Sequence, residues 1–186
     1  MTMFPFKFKK ALQAAAYLLR REPSHDMSYM RLLKVLYLAD RESVRLTGRP
    51  ITGDRIAAME QGPVLSDVYN LIKGEHLWSP DWAGFILKED YKIRMVNDPG
   101  QANLSRFEIE TLERIAEECR SRDEWEMVQY AHEHCPEWEK NKPSEQGKMN
   151  WIPFKDLLEA VGRSADQKSI EEDAREEREF ARLFGD

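Results

Sequence analysis

The run Tyr130-Ala131-His132-Glu133-His134-Cys135-Pro136-Glu137-Trp138 brings two imidazoles and a thiol close together, and these are donor types that hold zinc. Along a continuous helix, however, residues two apart point about 200° away from each other, so His132 and His134 can share an ion only if the helix ends between them. Pro136 permits such an ending, but no second Cys/His pair at finger spacing completes a site. No metal is therefore expected. The remaining histidines, His25 and His76, stand alone in segments that read as loops.

Asp40 is the carboxylate with the most unusual setting, because on a helical reading it shares a side with Leu33, Leu36, Tyr37 and Val44. A carboxylate buried there must be paired or hydrogen-bonded, since desolvating it alone costs several kcal/mol. No second carboxylate or histidine falls at a motif spacing that would make it a general acid or base. The expectation is a tie from its helix to nearby backbone or to Arg55. Ser66 has no motif that would activate it, and the chain contains no nucleophile elbow, phosphate-binding glycine loop or His-Glu-x-x-His. The Gly62-Pro63 step reads as punctuation, with glycine permitting a turn out of a strand and proline opening the helix that Val64 to Lys73 continues. No catalytic residue and no cofactor are expected, and the chain reads as a binding protein rather than an enzyme.

Arg31, Lys34, Arg41 and Arg45 form a loose basic stripe on the Asp40 helix. Such a stripe is a solvated face, or it meets an acidic partner surface or the phosphates of a nucleic acid. The formal net charge of -6 tells against broad capture of a nucleic-acid backbone. Trp78, Trp82 and Trp138 are candidate anchors for a protein partner if the fold leaves them exposed.

The elements that must position these groups are legible from periodicity. Phe8, Leu12, Ala15 and Leu19 recur at helical spacing over residues 6–21, before Pro23. Ser28 can cap a second helix, apolar around much of its circumference and ended by Gly48 and Pro50. Ile51-Thr52-Gly53-Asp54 reads as a turn into a strand near 55–61, and residues 84–96 read as a β-hairpin about Glu89-Asp90. Ser105 with Glu108, and Asp123 with Glu126, are capping boxes that start two more helices, the second carrying Trp125, Val128 and Ala131. Pro153 opens a helix with a Phe154, Leu157, Leu158 and Val161 stripe. The expected fold is α+β and mainly α, a helical core with one small antiparallel sheet. The domain runs over 1–165, and 166–186 follow as a charged, solvated helix or tail, either laid along a partner or ordered on binding. Isolated Cys119 and Cys135 suit reduced thiols, and no apolar run is long enough to span a membrane, so the cytoplasm is the expected compartment.

Taken together, the stretch from Lys34 to Ile72, the aromatic and hairpin region of residues 78–96, the Leu104-Ser105 helix start and the distal His132 to Trp138 segment resemble the Panacea domain, also called the SocA-like antitoxin or phage-associated protein family. The likeness spans about residues 8–165. Its most specific parts are Tyr37 to Asp40, Ile51 to Asp54 with Gly53, Gly62-Pro63-Val64, and His132 with Trp138. The resemblance implies a mostly helical α+β fold and an antitoxin that binds and neutralises a cognate protein toxin encoded beside it. At least one member of that family acts as an adaptor handing its toxin to a Clp protease. A nucleic-acid-binding autoregulator is the rival reading. The resemblance implies no reaction and no cofactor. Because the family's toxins are diverse, they must be read by variable surface, and the signature residues are expected to maintain the fold.

Overall fold

The protein is described here by a computed structural model covering residues 4–184. Helix α1 (Phe8–Arg20) buries its alanine and leucine face, and a short strand β1 (Asp26–Ser28) leads into the central helix α2 (Tyr29–Thr47). The Ser28 hydroxyl accepts from the Arg31 amide at 3.4 Å, and Gly48, at φ 79°, closes α2 in the left-handed conformation. Residues 32–40 of α2 are all buried, as expected of a helix packed on several sides. It contacts α1, β1, helix α5 (Arg106–Glu118), helix α6 (Glu124–His134) and the second strand of the hairpin described next.

Strand β2 (Ile56–Met59) turns through Glu60 and Gln61 into strand β3 (Gly62–Leu65), and only then does helix α3 (Ser66–Lys73) begin. This corrects the helical reading of Val64 and Leu65 and the role given to Pro63. Pro63 lies opposite Ala58 in an edge strand, where a missing N–H is tolerated, and does not open the helix. After helix α4 (Ser79–Ala83), strands β4 (Ile86–Glu89) and β5 (Lys92–Met95) form the expected hairpin, turning at Asp90 with φ 55°.

The strands form two sheets rather than one. The first has the order β1-β5-β4 and the second β3-β2-β6, where β6 (Asn150–Trp151) pairs with Ala57 and Ala58. Strands β1 and β6 are three and two residues long, too short to show an alternating pattern.

Both capping boxes form as expected, at Ser105/Glu108 and Asp123/Glu126. On α6 the buried positions are Met127 and Ala131, while Trp125 is 59% exposed, so the stripe lies elsewhere than the one through Trp125 and Val128. A short helix α7 (Pro136–Asn141) follows, and helix α8 (Phe154–Ala160) starts one residue after Pro153, which is its N-cap.

The charged terminal segment is helix α9 (Gln167–Phe184). Ile170 and Ala174 enter the core, with Ile170 lying against Gly48, while Lys7 and Arg49 pair with Glu177 and Arg49 also with Asp173. Ala181 is half-buried and Phe184 exposed. Among the described residues, no helix is long and apolar enough to cross a membrane.

Candidate functional site

The signature side chains converge on a set of buried polar junctions, each tying α2 or the β2–β3 hairpin to another segment. The Tyr37 hydroxyl, fully buried, donates to the Glu137 carboxylate at the start of α7. Arg41, one turn further along α2, donates to the same carboxylate through Nε at 2.7 Å and Nη2 at 3.4 Å. Burial, followed by the neighbouring Cys135 and Glu137, holds the Tyr37 phenol well above its ordinary range. Burial works against the Arg41 charge, but the hydrogen bond and charge of Glu137 keep the guanidinium firmly protonated. Cys135 is buried beside this group, and desolvation pushes its thiol up to about 12.

Nearly one turn along α2 from Tyr37, Asp40 accepts from the amides of Ile51 and Thr52 at 2.9 and 3.0 Å and from the Thr52 hydroxyl. The expected tie to backbone is therefore present, and Arg55 instead pairs with Asp67. Burial raises the Asp40 carboxyl to about 6, against the pull of those hydrogen bonds. Gly53, at φ 68°, passes so close to the N-terminal segment that a Cβ there would stand 1.9 Å from the Pro5 carbonyl oxygen. Asp54 accepts from the amides of Asp67 and Val68 at 2.8 and 2.9 Å, capping α3 from a distance because Leu65, its N-cap residue, has no side-chain acceptor.

The third junction holds the hairpin. The Lys34 ammonium, 1% exposed as a residue, donates to the Pro63 carbonyl at 2.9 Å, and Gly62 at φ 100° lies against it. Trp138 Nε1 donates to the Met59 carbonyl at 2.8 Å, and the His132 ring stacks on Trp138 at 4.0 Å and 2°. His134 stacks instead on Tyr130. The two histidines thus serve different neighbours. Among the described residues, no cluster of three metal-ligating side chains forms. His76 is not isolated, as its ring packs with Phe6 and Trp78.

The basic stripe does not exist as a free face. Lys34 is buried, Arg31 pairs with Glu22 at 2.6 Å and donates to the Arg122 carbonyl, Arg41 is committed to Glu137, and Arg45 pairs with Glu42 at 2.6 Å. The tryptophans expected to be available as anchors are not the exposed ones. Trp82 and Trp138 are buried and Trp78 is half-buried against Phe8, whereas Trp125 and Trp151 are 59% and 46% exposed. Trp151 on β6 carries Arg55 over its ring at 4.6 Å. Glu137, the hub of the first junction, was not singled out by sequence. Its cue was Arg41 following Tyr37 by four residues on a buried helix face, which requires an acidic partner somewhere.

Lys34 yields a test of this frame. Burial lowers its ammonium from 10.5 to about 7. The unfolded chain then binds more protons than the folded one between about pH 7 and pH 10.5, so stability is lost as pH falls through that window and the deficit is constant below it. Lys34→Met removes the penalty. The variant is expected to be about 2–4 kcal/mol more stable than the parent at pH 7, with the gain vanishing near pH 10. Urea denaturation midpoints at a series of pH values measure this, and a pH-independent difference would contradict it.

A family model described as "Antitoxin SocA-like, Panacea domain" matches residues 32–139, which contain all three junctions on the α2 and α7 sides. No match is found among curated proteins or among solved structures.

Proposed function

Because the chain belongs to the family of SocA-like antitoxins with the Panacea domain, we propose that it is a cytoplasmic antitoxin that neutralises a cognate protein toxin by direct binding, without catalysing a reaction. The observation that carries this reading is the family match over residues 32–139. The geometry supports it in one respect. Tyr37, Asp40, Asp54 and Trp138 spend their polar atoms on internal bonds, which leaves recognition to the surface around them. That surface carries separate exposed aromatic side chains, including Trp125 and Trp151, of the kind that anchor protein interfaces. The paired state of Arg31, Arg41 and Arg45 leaves the nucleic-acid alternative without the free cations it invoked.

The test is co-expression with the product of the neighbouring reading frame. That product alone should arrest growth, this chain should restore it, and the two should co-elute from a sizing column. A harmless neighbour, or rescue with no complex, would remove the proposal. Delivery to a Clp protease is distinguished from simple occlusion by the toxin's half-life, which shortens in the presence of this chain only in the first case.

A further inference from the structure

Between the first turns of α2 and the β2–β3 turn lies a pocket of about 190 Å³, walled by Tyr29, Met30, Leu33, Met59 and Val64 and including Lys34 in its lining. Its size is that of one amino-acid side chain, below the roughly 300 Å³ at which cofactor-sized sites begin. We infer that this pocket is a recognition site for a carboxylate carried on a short apolar stem, with the Lys34 ammonium as its counter-charge.

The reason is an imbalance of charge. Among the described residues the buried acids are provided for: Asp67 by Arg55, Glu108 by Lys10, Glu137 by Arg41, Asp156 by Lys140, Asp40 by two amides and a hydroxyl, and the desolvated Asp54 by two amides. Lys34 is the buried cation, and among the described residues its one hydrogen bond goes to a neutral carbonyl, with no carboxylate in ion-pair range. An ammonium has three N–H groups, so an acceptor bearing negative charge both fills its bonding capacity and offsets its desolvation. Gly62, also in the wall, has no side chain to cover that nitrogen, since a Cβ would sit 3.0 Å from Lys34 Nζ. At the mouth, Lys148 adds a further cation and Glu60 opposes it.

This inference stands apart from the antitoxin proposal, because it concerns a ligand chemistry that either a free acid or an acidic side chain can supply. The experiment uses the whole chain and three probes: 4-methylpentanoate, its amide, and an N-acetylated, C-amidated Leu-Glu-Leu tripeptide, followed through the backbone amide resonances of Gly62, Val64 and Tyr69 near pH 6, where Lys34 is charged. The acid is expected to bind at least about tenfold more tightly than the amide, the value of a charge-assisted hydrogen bond, and the ratio should collapse to about one in Lys34→Met. Tighter binding of the tripeptide than of the free acid assigns the site to a protein side chain, and the reverse assigns it to a small metabolic acid. Equal binding of acid and amide by the unaltered chain, no binding of any probe, or an undiminished preference in Lys34→Met each overturns the inference, and the first two need no variant to fold.

Discussion

Replacing Glu137 by alanine is expected to destabilise the protein by about 3–5 kcal/mol, a large part of the 5–15 kcal/mol that holds a domain of this size together. The carboxylate is wholly buried and is the shared acceptor of Tyr37 and Arg41. Without it the Arg41 guanidinium, only 18% exposed, is left desolvated with no counter-charge, and the Tyr37 hydroxyl has lost its acceptor in a closed interior. Glu137→Gln separates the two effects. It keeps an acceptor for Tyr37 but not the charge for Arg41, and should fall between the parent and the alanine variant. Urea midpoints at constant m-value read both. A loss below about 1 kcal/mol for alanine would show that water or backbone replaces the carboxylate, and that the junction does not hold α2 to α7.

Gly53→Ala is the second change of large effect, with an expected cost of about 3 kcal/mol or more. Two penalties combine there. The backbone at φ 68° disfavours any side chain by about 1 kcal/mol, and the added methyl would meet the Pro5 carbonyl oxygen at 1.9 Å. Both partners are main chain, so no rotamer relieves the contact. The N-terminal segment must move, giving up the Lys7 amide's bond to the Thr52 carbonyl and the seat of Phe4 against Phe154. The melting temperature should fall by about 6–12 °C. Trypsin should also cut at Lys7 or Lys9 in the folded variant, because that stretch is no longer held down. An unchanged melting temperature would mean that the Phe4 to Lys7 segment does not lie where it is described.

How much of this was readable beforehand follows from the range of the interaction concerned. The caps at Ser28, Ser105 and Asp123 act within four residues and were visible as spacing. The circumference of α2 announced its central position, and the Asp40 tie to the next turn was visible because its partners lie eleven and twelve residues on. Pro63 departs from its expected place for the opposite reason: whether a Gly-Pro pair opens a helix or sits in an edge strand depends on β2 lying alongside, which no local pattern contains. The same holds for Glu137, whose partners are about a hundred residues earlier. Type and spacing put Lys34 on a basic face with Arg31, Arg41 and Arg45, although apolar Leu33 and Val35 on either side suit an interior position, and that is where it lies. Which tryptophans are covered was decided by packing between remote segments: Trp82 is enclosed while Trp125, on an otherwise amphipathic helix, looks outward.

The junction between Tyr37 and Glu137 also bears on timing. A ribosome adding roughly 5–20 residues per second needs about 5–20 s to pass from the first of these residues to the second, and β6, which completes the second sheet, is made later still. During that interval α2 has emerged with its polar side unanswered, and the hairpin that Trp138 steadies has no indole to lean on. For a chain acting as proposed, the nascent polypeptide is not competent to restrain its target until the final third has been translated, so the pace and order of reading the two coding frames become part of how the cell is protected.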